Sequence, residues 1–143
     1  MKNSKTKILA FHSFKELIKK WYPDLAGKMT SKQALQHFLD TEFPNKCEVI
    51  LRNEKITKPI NIIGVLDTDL PTTHWVVLFE NIYIDSFGLV PPSDVWSQRK
   101  IDYINTHKFQ RFDSALCGEY SLYLIYLLMY YDMQTVNKVI LKM

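Results

Sequence analysis

DSALCGEYSLYLIYLLMYYD, residues 113–132, is the stretch on which the reading of this 143-residue chain turns. From Tyr120 to Tyr131 nearly every position is apolar or aromatic, and Glu119 and Asp132 bound the run. It holds twelve residues, well short of the ~20 that a bilayer requires, and so reads as a helix buried in a protein core. Cys117 and Gly118 stand immediately before it. That places Cys117 at a helix N-terminus, where unpaired backbone N–H groups and the positive end of the helix dipole favour the thiolate, the nucleophilic form. A small apolar residue would also serve such a position, so the companions of Cys117 decide its meaning.

A helix that is apolar all round needs other elements to cover it. Toward the N-terminus, Phe11, Phe14, Ile18 and Trp21 recur at helical spacing with Lys15, Glu16, Lys19 and Lys20 between them, and Pro23 ends the run. A second helix starts where Thr30 can cap and Gln33 can reach back, and carries Ala34, Leu35, Phe38 and Leu39 before Pro44. Short β-branched runs over 47–51, 60–66, 75–79 and 82–85 predict strands. Glu80 and Asn81 join the last two as a tight antiparallel hairpin. After Pro91 and Pro92, Ser93 caps a helix predicted to reach about Ile104, residues 108–112 read as a short strand, and 136–141 as a closing amphipathic helix. The whole, 1–143, is expected to be one domain.

Composition excludes several classes. Apolar residues are 47% and charged ones 23%, the balance of a globular protein rather than a disordered one. Eighteen Lys and Arg against 15 Asp and Glu give a net charge of +3, and apart from Lys2, Lys5 and Lys7 the basic residues are dispersed, a weak case for nucleic acid. Cys47 and Cys117 are the only cysteines, which supports neither a disulfide framework nor paired zinc ligands. No cofactor or metal is expected. The first residues lack the pattern of a secretory signal, and an intracellular, reducing setting is expected.

Three further residues can work with Cys117. His74 precedes the strong strand 75–79, behind a polar stretch, 67–73, that reads as a rim loop. Its imidazole could take the thiol proton and return it to a leaving amine. With a two-residue turn at Glu80 and Asn81, residues 74 and 87 pair, so Asp85 lies diagonally from His74 on the same face. A carboxylate there fixes the imidazole tautomer, although Asp at this place also suits a cap on the turn Ser86-Phe87-Gly88. Gln110, seven residues before Cys117, could join the Cys117 N–H in holding an oxyanion. Gly118 leaves room for a substrate backbone.

In order and spacing these elements resemble the adenovirus protease family, adenain-type enzymes of the SUMO-protease superfamily. The matching residues are His74-Trp75, Asp85-Ser86-Phe87-Gly88, Gln110 and Ser114-Ala115-Leu116-Cys117-Gly118. Tyr83-Ile84-Asp85-Ser86-Phe87-Gly88 with Pro91-Pro92, and Cys117-Gly118-Glu119-Tyr120-Ser121-Leu122-Tyr123, are most similar to the protease branch of virophages and polinton or Maverick transposons. The likeness covers the second half of the chain. Asp85 stands where the adenoviral enzyme has Glu, as in the SUMO-specific proteases, and Cys47 has no assignable counterpart.

The resemblance implies an α+β fold, with a mixed, largely antiparallel sheet, a central buried helix carrying the nucleophilic Cys117 at its N-terminus, and further helices packed around it. It implies a monomeric cysteine endopeptidase with Cys117, His74, Asp85 and Gln110 as its catalytic set. Trp75 and Gly118 are expected to meet the substrate, Trp75 roofing a narrow channel. Substrates would be capsid or other virion precursors, cut at small-residue or Gly-containing sites in the infected cell and within the virion, with no membrane involved. A nucleic-acid or peptide activator is left open. A deconjugating protease for ubiquitin- or SUMO-like tags and a catalytically silent virion protein are the alternatives.

Overall fold

The computed structural model describes residues 8–65, 74–110 and 116–143. Lys2, Lys5 and Lys7, the end of the 60–66 strand, the expected rim loop 67–73 and residues 111–115 lie outside the described residues. The chain order is α1 (Phe11–Trp21), α2 (Lys32–Glu42), β1 (Cys47–Leu51), β2 (Ile60–Gly64), β3 (Trp75–Phe79), β4 (Ile82–Ile84), α3 (Ser93–Trp96), β5 (Tyr103–Ile104), α4 (Cys117–Tyr130) and α5 (Met133–Leu141). The strands form one five-stranded sheet in the order β1-β2-β3-β4-β5. Its inner pairings, β2–β3 and β3–β4, are antiparallel, and its outer ones, β1–β2 and β4–β5, are parallel. The fold is thus α+β with a mixed sheet.

The central strand is apolar at every position because both of its faces are covered. Trp75 and Val77 join one core with Cys47, Val49, Ile60, Ile62 and Ile84, beneath α4 and α2. Val76 and Leu78 join a second with Ile50, Ile63, Tyr83 and Val95 on the opposite face, as the two-residue alternation of a strand demands. α4 lies at the centre of the larger core. Leu122, Ile125 and Leu127 have no measurable exposure. Around it α1 contributes Phe11, stacked on Tyr120 at 3.9 Å, and Phe14, packed against Tyr123 and Tyr126. No helix among the described residues is long and apolar enough to cross a membrane.

Four expectations shift. The α2 cap is Ser31 rather than Thr30, its Oγ accepting from the Ala34 N–H at 3.1 Å. The helix from Ser93 ends at Trp96, far short of Ile104. The exposed edge of β4 takes Tyr103 and Ile104 as a fifth strand instead, since an unpaired edge and a helix compete for the same residues. Arg99 anchors the turn between them, donating to the carbonyls of Lys58, Pro59 and Glu80. Residues 108–110 form no strand. Phe109 and Gln110 both donate their N–H groups to the Ser86 carbonyl, at 2.9 and 3.1 Å, a two-to-one pattern that a regular ladder does not have.

Candidate active site

The β3–β4 hairpin turns at Glu80, whose φ of +55° is left-handed, and Asn81, and pairs Phe79 with Ile82, Leu78 with Tyr83 and Val77 with Ile84. Continued beyond the ladder, this register brings His74 opposite Phe87, and the two rings stack at 3.8 Å and 3°. The His74 carbonyl accepts from Val65 N at 3.0 Å, extending the β2–β3 pairing to the base of the ring. His74 Nε2 and Asp85 Oδ1 are 2.6 Å apart, and both residues are buried. An ionised carboxylate can only accept, so the Nε2 of His74 carries the proton. That leaves Nδ1 as the basic nitrogen.

Cys117 is the first residue of α4, and Leu116 before it supplies no side-chain cap. Its Sγ accepts from the Trp75 N–H at 3.5 Å, which ties the thiol to the strand directly after His74. Ser121, one turn along, donates to the Cys117 carbonyl at 2.8 Å and lies 3.3 Å from the Trp75 carbonyl. The start of α4 is therefore fixed on β3. His74 Nδ1 is buried and reaches no hydrogen-bond partner within strict limits among the described residues, yet the Cys117 sulfur acts on this ring. Burial, the largest influence, pulls the His74 pKa down. Hydrogen bonding to Asp85 and to Cys117, and the charges of both, outweigh it and hold the imidazole at about 9.

Asp85 does two jobs with one atom, because Oδ1 also accepts from the Phe87 N–H at 2.8 Å. The turn cap and the contact with the His74 ring, alternatives in the sequence, coexist. Asn105 escaped the sequence reading. Its Oδ1 accepts from Asp85 N at 2.8 Å, and its Nδ2 donates to the Asp85 carbonyl at 2.8 Å and to the His107 carbonyl at 3.0 Å. A buried side chain thus continues the β4–β5 pairing by one residue, holding Asp85 where β5 has ended. The signal available was Tyr103-Ile104-Asn105 read as a strand end rather than as the end of a helix.

Gln110 is buried beside this element, and the Ser86 hydroxyl donates to its Oε1. Cys117, His74 and Asp85 are therefore brought together, with Gln110 joined to them through Ser86. Trp75 and Gly118 depart from expectation. The Trp75 ring is buried, its Nε1 donating to the Thr30 carbonyl at 3.0 Å. At Gly118 a Cβ would stand 1.7 Å from the Met29 carbonyl oxygen. The space expected for a substrate backbone belongs to the chain's own α1–α2 connection. A cavity of about 230 Å³ lies along the same connection, bordered by Met29, Leu116 and Glu119. A second, of about 260 Å³, opens among the aromatic rings of α1, α2 and α4, at Phe14, Trp21, Phe38 and Tyr130.

Cys47 sits at the start of β1 with its thiol pushed up to about 11, by burial first and then by Asp40, against the opposing influence of Lys46. Burial and the raised pKa leave it a weak nucleophile at neutral pH. No family model, no curated protein and no solved structure matches this chain.

Proposed function

We propose that this protein is a cysteine endopeptidase. The observation that carries the reading is the His74–Asp85 contact of 2.6 Å, with the proton on Nε2 and the remaining ring nitrogen left to the thiol of Cys117 at the start of a helix. In this mechanism the Cys117 thiol gives its proton to His74 Nδ1, forming the imidazolium, and the thiolate attacks the scissile carbonyl carbon. The C–O π pair moves onto oxygen, where the Gln110 amide and the Cys117 N–H stabilise it. Collapse breaks the C–N bond as the His74 imidazolium gives its proton to the leaving amine. Water, its proton taken by His74, then attacks the thioester carbonyl, and collapse breaks the C–S bond, releasing the acid and restoring the Cys117 thiolate beside the His74 imidazolium. A pKa of about 9 keeps His74 charged at neutral pH, ready for the proton-donating step.

The resemblance to the adenovirus protease family supports the choice of substrate: capsid or other virion precursors cut during maturation at small-residue or Gly-containing sites, in the infected cell or the virion. Incubating the protein with a capsid precursor that carries small-residue or Gly-containing sites, and sequencing the products by mass spectrometry, tests this. Discrete cleavage is expected with the wild type and none with Cys117→Ala, which should stay folded because little volume is lost at the helix start. Cleavage by folded Cys117→Ala, or labelling of Cys117 by a thiol probe at a rate indifferent to His74→Ala, refutes it.

A further inference from the structure

Most of the side chains that border the larger cavity, the one of about 260 Å³ between α1, α2 and α4, are aromatic, and one is charged. Glu42 stands there among the rings of Trp21, Tyr22, Phe43, Tyr126 and Tyr130. The Tyr22 hydroxyl donates to Glu42 Oε1 at 2.8 Å, which fixes the carboxylate at the cavity and leaves Oε2 to receive a further donor. Burial first, then the hydrogen bond and charge of Glu42, push the Tyr22 phenol up to about 12, so the field of the carboxylate is felt among the rings. The chain as a whole carries a net charge of +3, yet among the described residues no Lys, Arg or His borders this cavity and none forms an ion pair with Glu42. His37, edge-on to Tyr22 at 6.4 Å, stands outside it. α1 turns Phe14, Leu17 and Trp21 to this side, while its Lys15 and Lys19 border the smaller cavity, Lys15 over the Phe11 ring at 4.9 Å and Lys19 paired with Glu16 at 3.3 Å.

The face of an aromatic ring attracts a cation, and a carboxylate beside such faces, with no cation of its own, adds to that attraction. At about 260 Å³ the cavity is smaller than the ~300–1,000 Å³ of sites that enclose a whole small molecule, and it suits a single side chain entering from a partner's surface. Two rings mark its mouth: Trp21 is 61% and Tyr130 42% exposed, and Trp and Tyr are the residue types that anchor protein interfaces. Among basic side chains, arginine is the one whose planar guanidinium both stacks on rings and forks onto a carboxylate. We propose that this cavity is a docking site for an arginine side chain within an apolar segment of a partner protein, the guanidinium lying against Trp21 and Tyr130 and pairing with Glu42. Tyr126 and Tyr130 lie about 13 and about 20 Å beyond Cys117 along α4, at 1.5 Å per residue, so the site is separate from the thiol and stands or falls independently of the peptidase reading.

NMR of the indole N–H groups tests this, with the whole chain titrated by the blocked peptide acetyl-Leu-Arg-Leu-amide and by the same peptide carrying citrulline or norleucine in place of arginine. Citrulline keeps the shape and loses the charge. The arginine peptide is expected to shift the Trp21 indole, assigned with Trp21→Phe among the three tryptophans, and to leave buried Trp75 unmoved. It should bind about tenfold more tightly than the citrulline peptide, the sum of one exposed cation–π contact and one surface ion pair. Glu42→Gln and Tyr130→Leu should each bring that ratio down to about threefold, because each removes one of the two contacts. The absence of a saturable Trp21 shift with the arginine peptide would overturn the proposal, as would equal binding of the arginine and citrulline peptides or a ratio unmoved in folded Glu42→Gln. A norleucine peptide that binds more tightly than the arginine one would also overturn it, and would mark the cavity as a seat for an apolar side chain. The comparison of arginine with citrulline needs no variant, so it decides the matter even where a substitution unfolds the protein.

Discussion

Replacing Asp85 with Asn keeps the shape of the side chain and an acceptor oxygen for the Phe87 N–H, but removes the charge that holds the His74 proton. In the folded protein that imidazole has a pKa of about 9 against an ordinary 6.5. The difference is a few-hundred-fold in the protonation equilibrium, on the order of 3 kcal/mol. The side chains are only 3% and 2% exposed, so solvent and salt screen the contact little. Burial is the largest influence and pulls the pKa down, and hydrogen bonding to Asp85 leads those that oppose it. With the carboxylate gone, only Cys117 still opposes burial. His74 in Asp85→Asn should therefore titrate at or below 6.5. A pKa raised by folding adds stability that is present in full below 6.5, shrinks as pH rises toward 9 and is gone above it. The wild type should thus lose about 3 kcal/mol from this group between pH 6 and pH 9.5, and the variant almost none.

NMR titration of the imidazole ring protons reads the pKa directly, with His74→Asn identifying the signal among the four histidines. Urea denaturation at pH 6 and pH 9.5 reads the linkage. Peptide cleavage at pH 7.5 should fall in Asp85→Asn but remain above that of His74→Ala, because the ring is still there to accept and donate. A wild-type His74 that titrates near 6.5, or one whose pKa is unchanged in Asp85→Asn, refutes the electrostatic account whatever happens to activity.

The thiols offer a second test: at pH 7.5 a pKa of about 11 leaves Cys47 about one part in 3,000 thiolate, so brief treatment with iodoacetamide should modify Cys117 alone, and Cys47→Ala should keep normal turnover. Mass mapping that finds Cys47 modified first would reverse the assignment of the two. Gly118→Ala drives a Cβ to 1.7 Å from the Met29 carbonyl, a backbone clash expected to cost about 3 kcal/mol or more and to lower the melting temperature by about 10 °C. An unchanged melting temperature would show that the α1–α2 connection does not hold its place against the Cys117 helix.

What the sequence made legible was whatever local pattern and short-range register control. The central strand, the buried helix and the 74–87 pairing all follow from side-chain alternation or from a two-residue turn, and these put His74 and Asp85 on one face before any coordinate is known. The errors fall where a distant partner decides. Residues 97–104 carry enough apolar spacing for a helix, but the open edge of β4 and the three carbonyls beneath Arg99 reward a different path. Asn105 reads as an ordinary polar residue until β5 is laid beside β4, and only then can its amide reach both backbone groups of Asp85. Gly118 shows the same limit. Its smallness was legible, but the group that needs the space belongs to Met29, 89 positions earlier in the chain.

The turn cap and the contact with the imidazole are not exclusive alternatives for Asp85. Asp85 Oδ1 caps the turn at Phe87 N and accepts from His74 Nε2, so the constraint that shapes the turn also aims the carboxylate. Ser86, next in sequence, receives the backbone of 109–110 and holds the amide of Gln110. Asn105 fixes the backbone from which both side chains project. Because Asp85 Oδ1 both caps this turn and meets His74, loosening the turn would disturb the imidazole contact and stability together. Substitutions that separate the two must remove a charge while leaving the shape, which is why Asp85→Asn is more informative than alanine there.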